Sequence, residues 1–202
     1  MCAAALKLVA RVAYKGAGTV EFLYERARES FYFIEVNTRI QVEHPVTEMV
    51  TGLDLVAEMI RIAGGERLSI EQDDVVIDGH AIECRINAEN PAKGFMPAPG
   101  TIKRLVVPAG DDVRFDSMLF EGYTVPPFYD SLLGKLIVHA ADRASCLARL
   151  RSVLASLEID GVPTTIPLHM ALAADVDVAN GAIDTQFLEA WLERRFPLQP
   201  KL

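Results

Sequence analysis

The stretch FYFIEVNTRIQVEHPVTE, residues 31–48, decides how the rest of the chain is read. It opens on aromatic and branched side chains suited to a strand, then sets down Asn37, Arg39, Gln41, Glu43 and His44 in close succession. A second run of the same character, TVEFLYE, covers residues 19–25, and RARES (26–30) connects the two. Together they predict a β-hairpin. With that connection centred on Arg28, antiparallel pairing sets Glu21 opposite Glu35 and Thr19 opposite Asn37. Alternation then puts Glu35 and Asn37 on the face of Phe33. Two carboxylates facing one another on a largely apolar hairpin repel, and a divalent cation between them reverses that penalty. Carboxylate and amide oxygens suit Mg²⁺ or Mn²⁺, especially an ion that also holds nucleotide phosphates. The same residues also read as ordinary acids on a solvated sheet face, and a one-residue slip in register would break the alignment.

The loop beyond the hairpin adds anion chemistry. Arg39 can grip a planar oxyanion through its fixed fork, Gln41 can donate an amide hydrogen bond, and Glu43 can accept a proton. A charged surface loop with local pairs is the alternative, and His44 reads as a structural hydrogen-bonding residue. Gly16 and Gly18 lack the lysine and the strand–loop–helix setting of a phosphate loop, so they read as a turn into the hairpin. Asp130 and Lys135 read as turn and surface-pair residues.

Around this region the chain has the composition of a folded protein. Of its 202 residues, 50% are apolar and 24% charged. The net charge of -8, from 28 acids against 20 Lys and Arg, argues against a nucleic-acid binder while leaving room for a local basic pocket. Cys2, Cys84 and Cys146 are scattered without metal-ligand spacing, which fits a reducing compartment. Residues 1–15 predict a helix with Leu6, Val9, Ala10 and Ala13 as its apolar stripe. Residues 39–48 show neither period, and Pro45 argues against a strand. A helix is expected from Thr51, with Asp54 as capping-box partner, Val56, Met59, Ile60 and Ala63 buried, and Gly64-Gly65 ending it. Beyond His80, short strands are expected at 80–87, 101–107, 113–116 and 134–140. A helix over 143–157 follows with Leu147, Leu150, Leu154 and Leu157 on one face. Two or three short helices come after Pro163 and Pro167 and run to Trp191. The fold class is α+β with segregated elements.

The string FYFIEVNTRIQVEHPVTEMVTGLDLV, preceded by YKGAGTVEFL, closely resembles the metal and bicarbonate region of biotin carboxylases, members of the ATP-grasp group. The resemblance continues through GHAIECRINAENP, PAPGTI, GYTVPPFYDSLLGKLI and IDGVPTT and covers nearly the whole chain. It implies residues 1–78 as the C-terminal part of an ATP-grasp domain and 79–197 as the biotin carboxylase C-terminal domain. It further implies Glu21, Glu35 and Asn37 around Mg-ATP or Mn-ATP, and Leu23 and Ile34 against adenine (from the residues alone, these two are hairpin core). Arg39, Gln41 and the Val42 backbone match the bicarbonate clamp, and Glu43 the base. Arg85 matches an arginine approaching bicarbonate and the biotin ureido oxygen, where a strand salt bridge would otherwise be the reading.

The implied activity is ATP- and bicarbonate-dependent carboxylation of biotin on a carrier protein, most like the biotin carboxylase component of acetyl-CoA carboxylase in fatty acid biosynthesis. The implied partners are a biotin carboxyl carrier protein, carboxyltransferase subunits and a second copy in a homodimer; the implied setting is cytoplasmic. The sequence departs from the family pattern as well. The nucleotide-fold domain and the Gly-rich lid with its lysines have no counterpart in these residues, so the isolated chain is expected to be inactive. RARES looks longer than the usual connection, and Asp111-Asp112 stands where a more apolar subunit contact is familiar. No biotin-acceptor AMKM occurs, and Lys201 lies in PLQPKL. A noncatalytic fragment or interaction domain retaining the fold is the competing reading. A different ATP-grasp ligase is disfavoured by RIQVEHP and CRINAE.

Overall fold

In the computed structural model, which describes residues 1–195, the chain divides into a unit from Met1 to Ile77 and a second from Asp78 onward. The expected domain end at residue 197 and Lys201 lie outside the described residues.

The first unit begins with helix α1 (Cys2–Arg11), followed by strands β1 (Thr19–Glu25) and β2 (Ser30–Asn37). The hairpin pairs Glu21 with Glu35 and Thr19 with Asn37. It reaches that register by a route different from the expected one. Ser30 already pairs with Glu25, so the connection is Arg26–Glu29, one residue shorter than expected, with Glu29 in the left-handed region at φ 48°. A bulge between Glu21 and Phe22 then absorbs Ile34 as an extra residue and restores the pairing of the acids. The bulge also changes which side chains share a face. Phe33 pairs with Phe22, the neighbour of Glu21, and so lies on the face opposite Glu35. There Phe22 meets Phe31 and Phe33 edge to face, at centroid distances of 5.4 and 6.3 Å. Leu23, on the face of Glu21, and Ile34, at the bulge, are not hairpin core: they are 51% and 55% exposed.

Two helices that reach the candidate site follow: α2 (His44–Thr51) and α3 (Leu55–Ala63). The sequence hid α2, since Pro45 breaks strands but is tolerated in the first helical turn, where its missing N–H costs nothing. Thr51 closes α2 instead of opening α3. Asp54 is itself the cap of α3, accepting from Ala57 N at 2.8 Å. The expected stripe is not the buried one either. Val56 and Ile60 are 44% and 68% exposed, whereas Glu58 is buried, accepting from the Ser69 hydroxyl and N–H and from Arg61. Those donors, led by Ser69, hold its carboxyl below the usual carboxylate range. In α1 no residue is buried, and Leu6 of the expected stripe is 65% exposed.

The second unit contains strands β3 (His80–Asn87), β4 (Glu89–Asn90), β5 (Met96–Pro97), β6 (Gly100–Thr101), β7 (Arg104–Val106), β8 (Val113–Ser117), β9 (Thr124–Val125) and β10 (Leu132–Ala140). Helix α4 (Arg143–Ser156), strand β11 (Glu158–Asp160) and helices α5 (Ile166–Ala173), α6 (Val176–Asn180) and α7 (Phe187–Arg195) complete it. The central sheet has the order β3-β10-β8, all antiparallel. One face carries Cys84, Ile86, Leu136 and Val138, onto which α4 lays Cys146, Leu147, Leu150, Val153 and Leu154. The predicted leucine stripe therefore forms the core. Burial raises the Cys84 and Cys146 thiols to about 12 and about 11, so both remain neutral packing groups. Asp112 binds Arg149 through two bonds of 2.7 and 2.9 Å, and that guanidinium holds its carboxyl below the usual range. No described helix is long and apolar enough to cross a membrane.

Candidate functional site

The hairpin end and the loop after it form one connected polar system. Asn37 leaves β2 on the face of the paired acids, and its Nδ2 donates to Glu21 Oε1 at 2.7 Å and to Glu35 Oε1 at 3.2 Å. One amide N–H₂ group thus sits between two carboxylates that would otherwise repel. Its carbonyl oxygen turns the other way and accepts from Arg39 at 3.3 Å. Arg39 also donates to Gln41 Oε1 at 2.8 Å and to the Ile40 carbonyl at 3.1 Å. Because a guanidinium can only donate, these contacts fix both amides: Gln41 presents oxygen to Arg39 and keeps its N–H₂ as the end able to donate to an anion.

Arg39, Gln41 and Glu43 line one cavity of about 370 Å³, together with Gly18, Thr19, His44 and Thr47. Gly16, at φ +106°, makes the turn entering it. At Gly18 a Cβ would stand 3.0 Å from the Tyr14 ring, so any side chain there would require the ring to give way by a few tenths of an ångström. This is the turn expected from sequence, and it also forms a wall of the cavity. His44 acts as the structural residue expected: its Nδ1 donates to the Gln41 carbonyl at 2.7 Å. Glu43 is the N-cap residue of α2 but makes no side-chain cap bond, and its exposed side chain lines the cavity instead. Val42, between Gln41 and Glu43 in the chain, is half-buried. Leu23 alternates onto the face of Glu21, and Ile34 is the bulge residue beside Glu35.

The donor set fits a hard divalent cation. Both carboxylates offer an oxygen to the same point, and rotating the Asn37 amide would put a third oxygen there in place of N–H₂. Among the described residues no three His, Cys, Asp or Glu side chains gather into a metal cage. A cation held here would complete its shell with water or phosphate oxygens, the usual habit of Mg²⁺.

Arg85 lies in the second unit, exposed on β3 directly opposite Lys135 on β10. Lys135 in turn stands 3.7 Å from Asp116 on β8. The backbone carbonyl of Arg85 accepts from the Thr165 hydroxyl at 3.1 Å and from His169 Nε2 at 2.8 Å. Sequence reasoning missed these two partners. The only signal was for Thr165, which ends IDGVPTT, a motif of the resemblance without an assigned task; His169 lies beyond it and had none.

Two family models match the chain. Residues 83–190 match the biotin carboxylase C-terminal domain, and residues 1–71 match the carbamoyl-phosphate synthase L chain, ATP binding domain. The biotin carboxylase of Pseudomonas aeruginosa is 58% identical over 88% of this chain and 39% of its own length. Biotin carboxylase 1 of Bacillus subtilis is 50% identical over 93% of this chain and 42% of its own length. Among solved structures, the biotin carboxylase domain dimer of Hydrogenobacter thermophilus 2-oxoglutarate carboxylase, in complex with MgADP, ADP and bicarbonate, has a TM-score of 0.90 at 46% identity. That match covers 98% of this chain and 43% of the other. The chain thus spans about two-fifths of the length of these relatives.

Proposed function

We propose, from the premise that the chain belongs to the biotin carboxylase family, that its residues supply the metal, bicarbonate and biotin contacts of an ATP-dependent carboxylation of biotin. The observation that carries this reading is the unbroken bond path Glu21/Glu35–Asn37–Arg39–Gln41, ending in the cavity that Glu43 lines. It supports a reading in which a pair of acids able to bind a cation stands next to an arginine able to bind an anion, the two needs of joining bicarbonate to a nucleotide phosphate.

In this reading, residues 1–78 are the C-terminal part of the ATP-grasp domain and 79–197 the biotin carboxylase C-terminal domain. Glu21, Glu35 and Asn37 hold Mg²⁺ or Mn²⁺, which neutralises phosphate charge that would repel an attacking anion. Leu23 and Ile34 offer apolar contact to adenine. Arg39, the Gln41 amide and the Val42 backbone orient bicarbonate. Glu43 takes its proton as a bicarbonate oxygen bonds to the terminal phosphorus and the bond to ADP breaks, giving carboxyphosphate. Arg85 stabilises oxyanion character on the biotin ureido oxygen as the ring N–H gives its proton to the departing phosphate and the ring nitrogen bonds to the carboxyl carbon, the C–O bond of carboxyphosphate breaking to release inorganic phosphate. A carrier protein would present the biotin, and carboxyltransferase subunits would consume the product. Through GYTVPPFYDSLLGKL we assign the chain to the biotin carboxylase component of an acetyl-CoA carboxylase acting in fatty acid synthesis; the family resemblance alone suggests a cytoplasmic setting and a second copy of the chain as partner.

Reconstitution tests the reading. The chain is joined, as a chimera, to the part of the Pseudomonas aeruginosa relative that it does not match, then assayed for ATP- and bicarbonate-dependent carboxybiotin formation. Turnover is expected, with Glu21→Gln and Glu35→Gln each raising the Mg²⁺ requirement. A folded chimera that binds ATP yet forms no carboxybiotin at any Mg²⁺ concentration would overturn it.

A further inference from the structure

Thr165 is the N-cap residue of α5, where a threonine ordinarily turns its hydroxyl onto the first helical N–H groups. It makes no such bond. The hydroxyl instead donates to the Arg85 carbonyl at 3.1 Å and accepts from the Asn87 N–H at 3.0 Å. The Thr165 N–H meanwhile donates to the Asn87 carbonyl at 3.1 Å. One turn further, His169 closes on the same Arg85 carbonyl. Since a carbonyl only accepts, Nε2 carries the proton. Burial holds this imidazole below its ordinary 6.5, with the Arg85 bond partly opposing, so the ring is neutral at pH 7.

β3 is an outer strand, paired with β10 on one side only. On its other edge, Arg85 and Asn87 direct backbone groups toward Thr165, which imitates one residue of a missing strand. Its N–H serves as the donor, and its hydroxyl takes the place of the carbonyl while also donating onward. Thr165 is 5% exposed, so water does not readily replace it there. A helix cap has been given up for a clamp on the strand at Arg85. A local rule broken in this way is expected where function sets the geometry.

Resting on the reading that Arg85 meets biotin, we propose that Thr165 and His169 are positioning residues that fix the Arg85 backbone and thereby aim its guanidinium at the biotin ureido oxygen. A guanidinium at the end of a long side chain acts through placement, and a shift of about 1 Å in its anchor can cost as much as 10²-fold in rate.

The test has two readouts. In the 202-residue chain, amide hydrogen exchange should show the Asn87 N–H exchanging faster in Thr165→Val and near wild type in Thr165→Ser. In the chimera, Thr165→Val should raise the KM for biotin about tenfold, the equivalent of one lost net hydrogen bond, with the KM for ATP within about twofold. Thr165→Ser should restore it, and His169→Gln should fall between. Should Thr165→Val not fold, His169→Gln carries the same comparison against His169→Phe, which cannot donate. Arg85→Met is the control. If it leaves biotin kinetics unchanged, the reading of Arg85 is wrong. If it impairs them while the Thr165 and His169 variants do not, the positioning proposal is wrong. Equal rises in both KM values, unrelieved by serine, would also overturn it by reducing the clamp to general stability.

Discussion

Glu43 and Arg39 line the same cavity yet should fail in different ways when changed. In the chimera, Glu43→Gln keeps shape and leaves the acids at Glu21 and Glu35 untouched, so melting temperature and ATP affinity should hold. An amide cannot take the bicarbonate proton, and carboxybiotin formation should drop about 10²- to 10⁴-fold. Near-normal turnover by the folded variant would remove Glu43 from the chemistry. Arg39→Ala removes the clamp itself, so the KM for bicarbonate should rise. It also strips Asn37 and Gln41 of the donor that fixes their amides, so the Mg²⁺ requirement should rise with it. Titrating both ligands separates this outcome from a pure loss of anion binding, in which Mg²⁺ dependence would stay put. At this scale the sequence was informative about types and poor about orientation. It placed Asn37 beside two acids, but which end of the amide faces them depends on Arg39 standing on its far side.

Elements follow local rules until a neighbour intervenes. Gly161 follows β11 at φ +108°, and a Cβ there would lie 2.0 Å from the Thr101 carbonyl oxygen. Gly161→Ala should therefore cost at least about 2 kcal/mol, from left-handed strain plus a backbone clash that no rotamer relieves. A thermal melt unchanged from wild type would contradict that. His169 on α5 predicts a pH effect. Its folded pKa lies below the ordinary 6.5, so between those values the unfolded chain binds more protons than the folded one. Its contribution is therefore present above about pH 6.5 and lost as pH falls through the folded pKa. Denaturant midpoints across pH 5–7.5 should decline toward acid in the wild type, and His169→Gln should flatten that decline; parallel curves would refute the assignment. The Glu21–Glu35 pairing teaches the same lesson about elements: the turn came out one residue shorter than RARES suggested, and the bulge at Ile34 compensated.

Across the whole molecule, apolar burial is divided unevenly. The second unit has a continuous core in which Ile86, Leu136 and Val138 are fully buried. In the first unit only Pro45, Glu48 and Glu58 are buried, and Tyr24, Phe31, Tyr32 and Phe33 are each at least 43% exposed. With so little apolar surface removed from water, the first unit should open far more readily. Hydrogen exchange on the purified chain should show protected amides along β3, β10 and α4 and rapid exchange along β1 and β2. Equal protection would show that the hairpin is held by more than its own contacts. The same imbalance, with no Gly-rich lid among these residues, predicts that the chain alone neither binds ATP tightly nor turns over. Two acids and an amide would attract mainly the nucleotide's metal. Calorimetry with ATP and Mg²⁺, followed by biotin-dependent phosphate release, checks both, and tight binding with turnover would contradict the expectation.

By itself the sequence determined the α+β class, the hairpin strands, the leucine face of α4 and the family, because each is written in side-chain period or in contiguous motif. It could not show that Val56 and Ile60 face outward while Glu58 is buried, since a helix's apolar stripe is buried only if something covers it. Nor could it show Thr165 and His169 reaching the carbonyl of Arg85 from 80 and 84 residues away. No local pattern encodes a bond of that span. It exists only because the outer edge of β3 comes to rest against the start of α5, where the Arg85 carbonyl finds its donors.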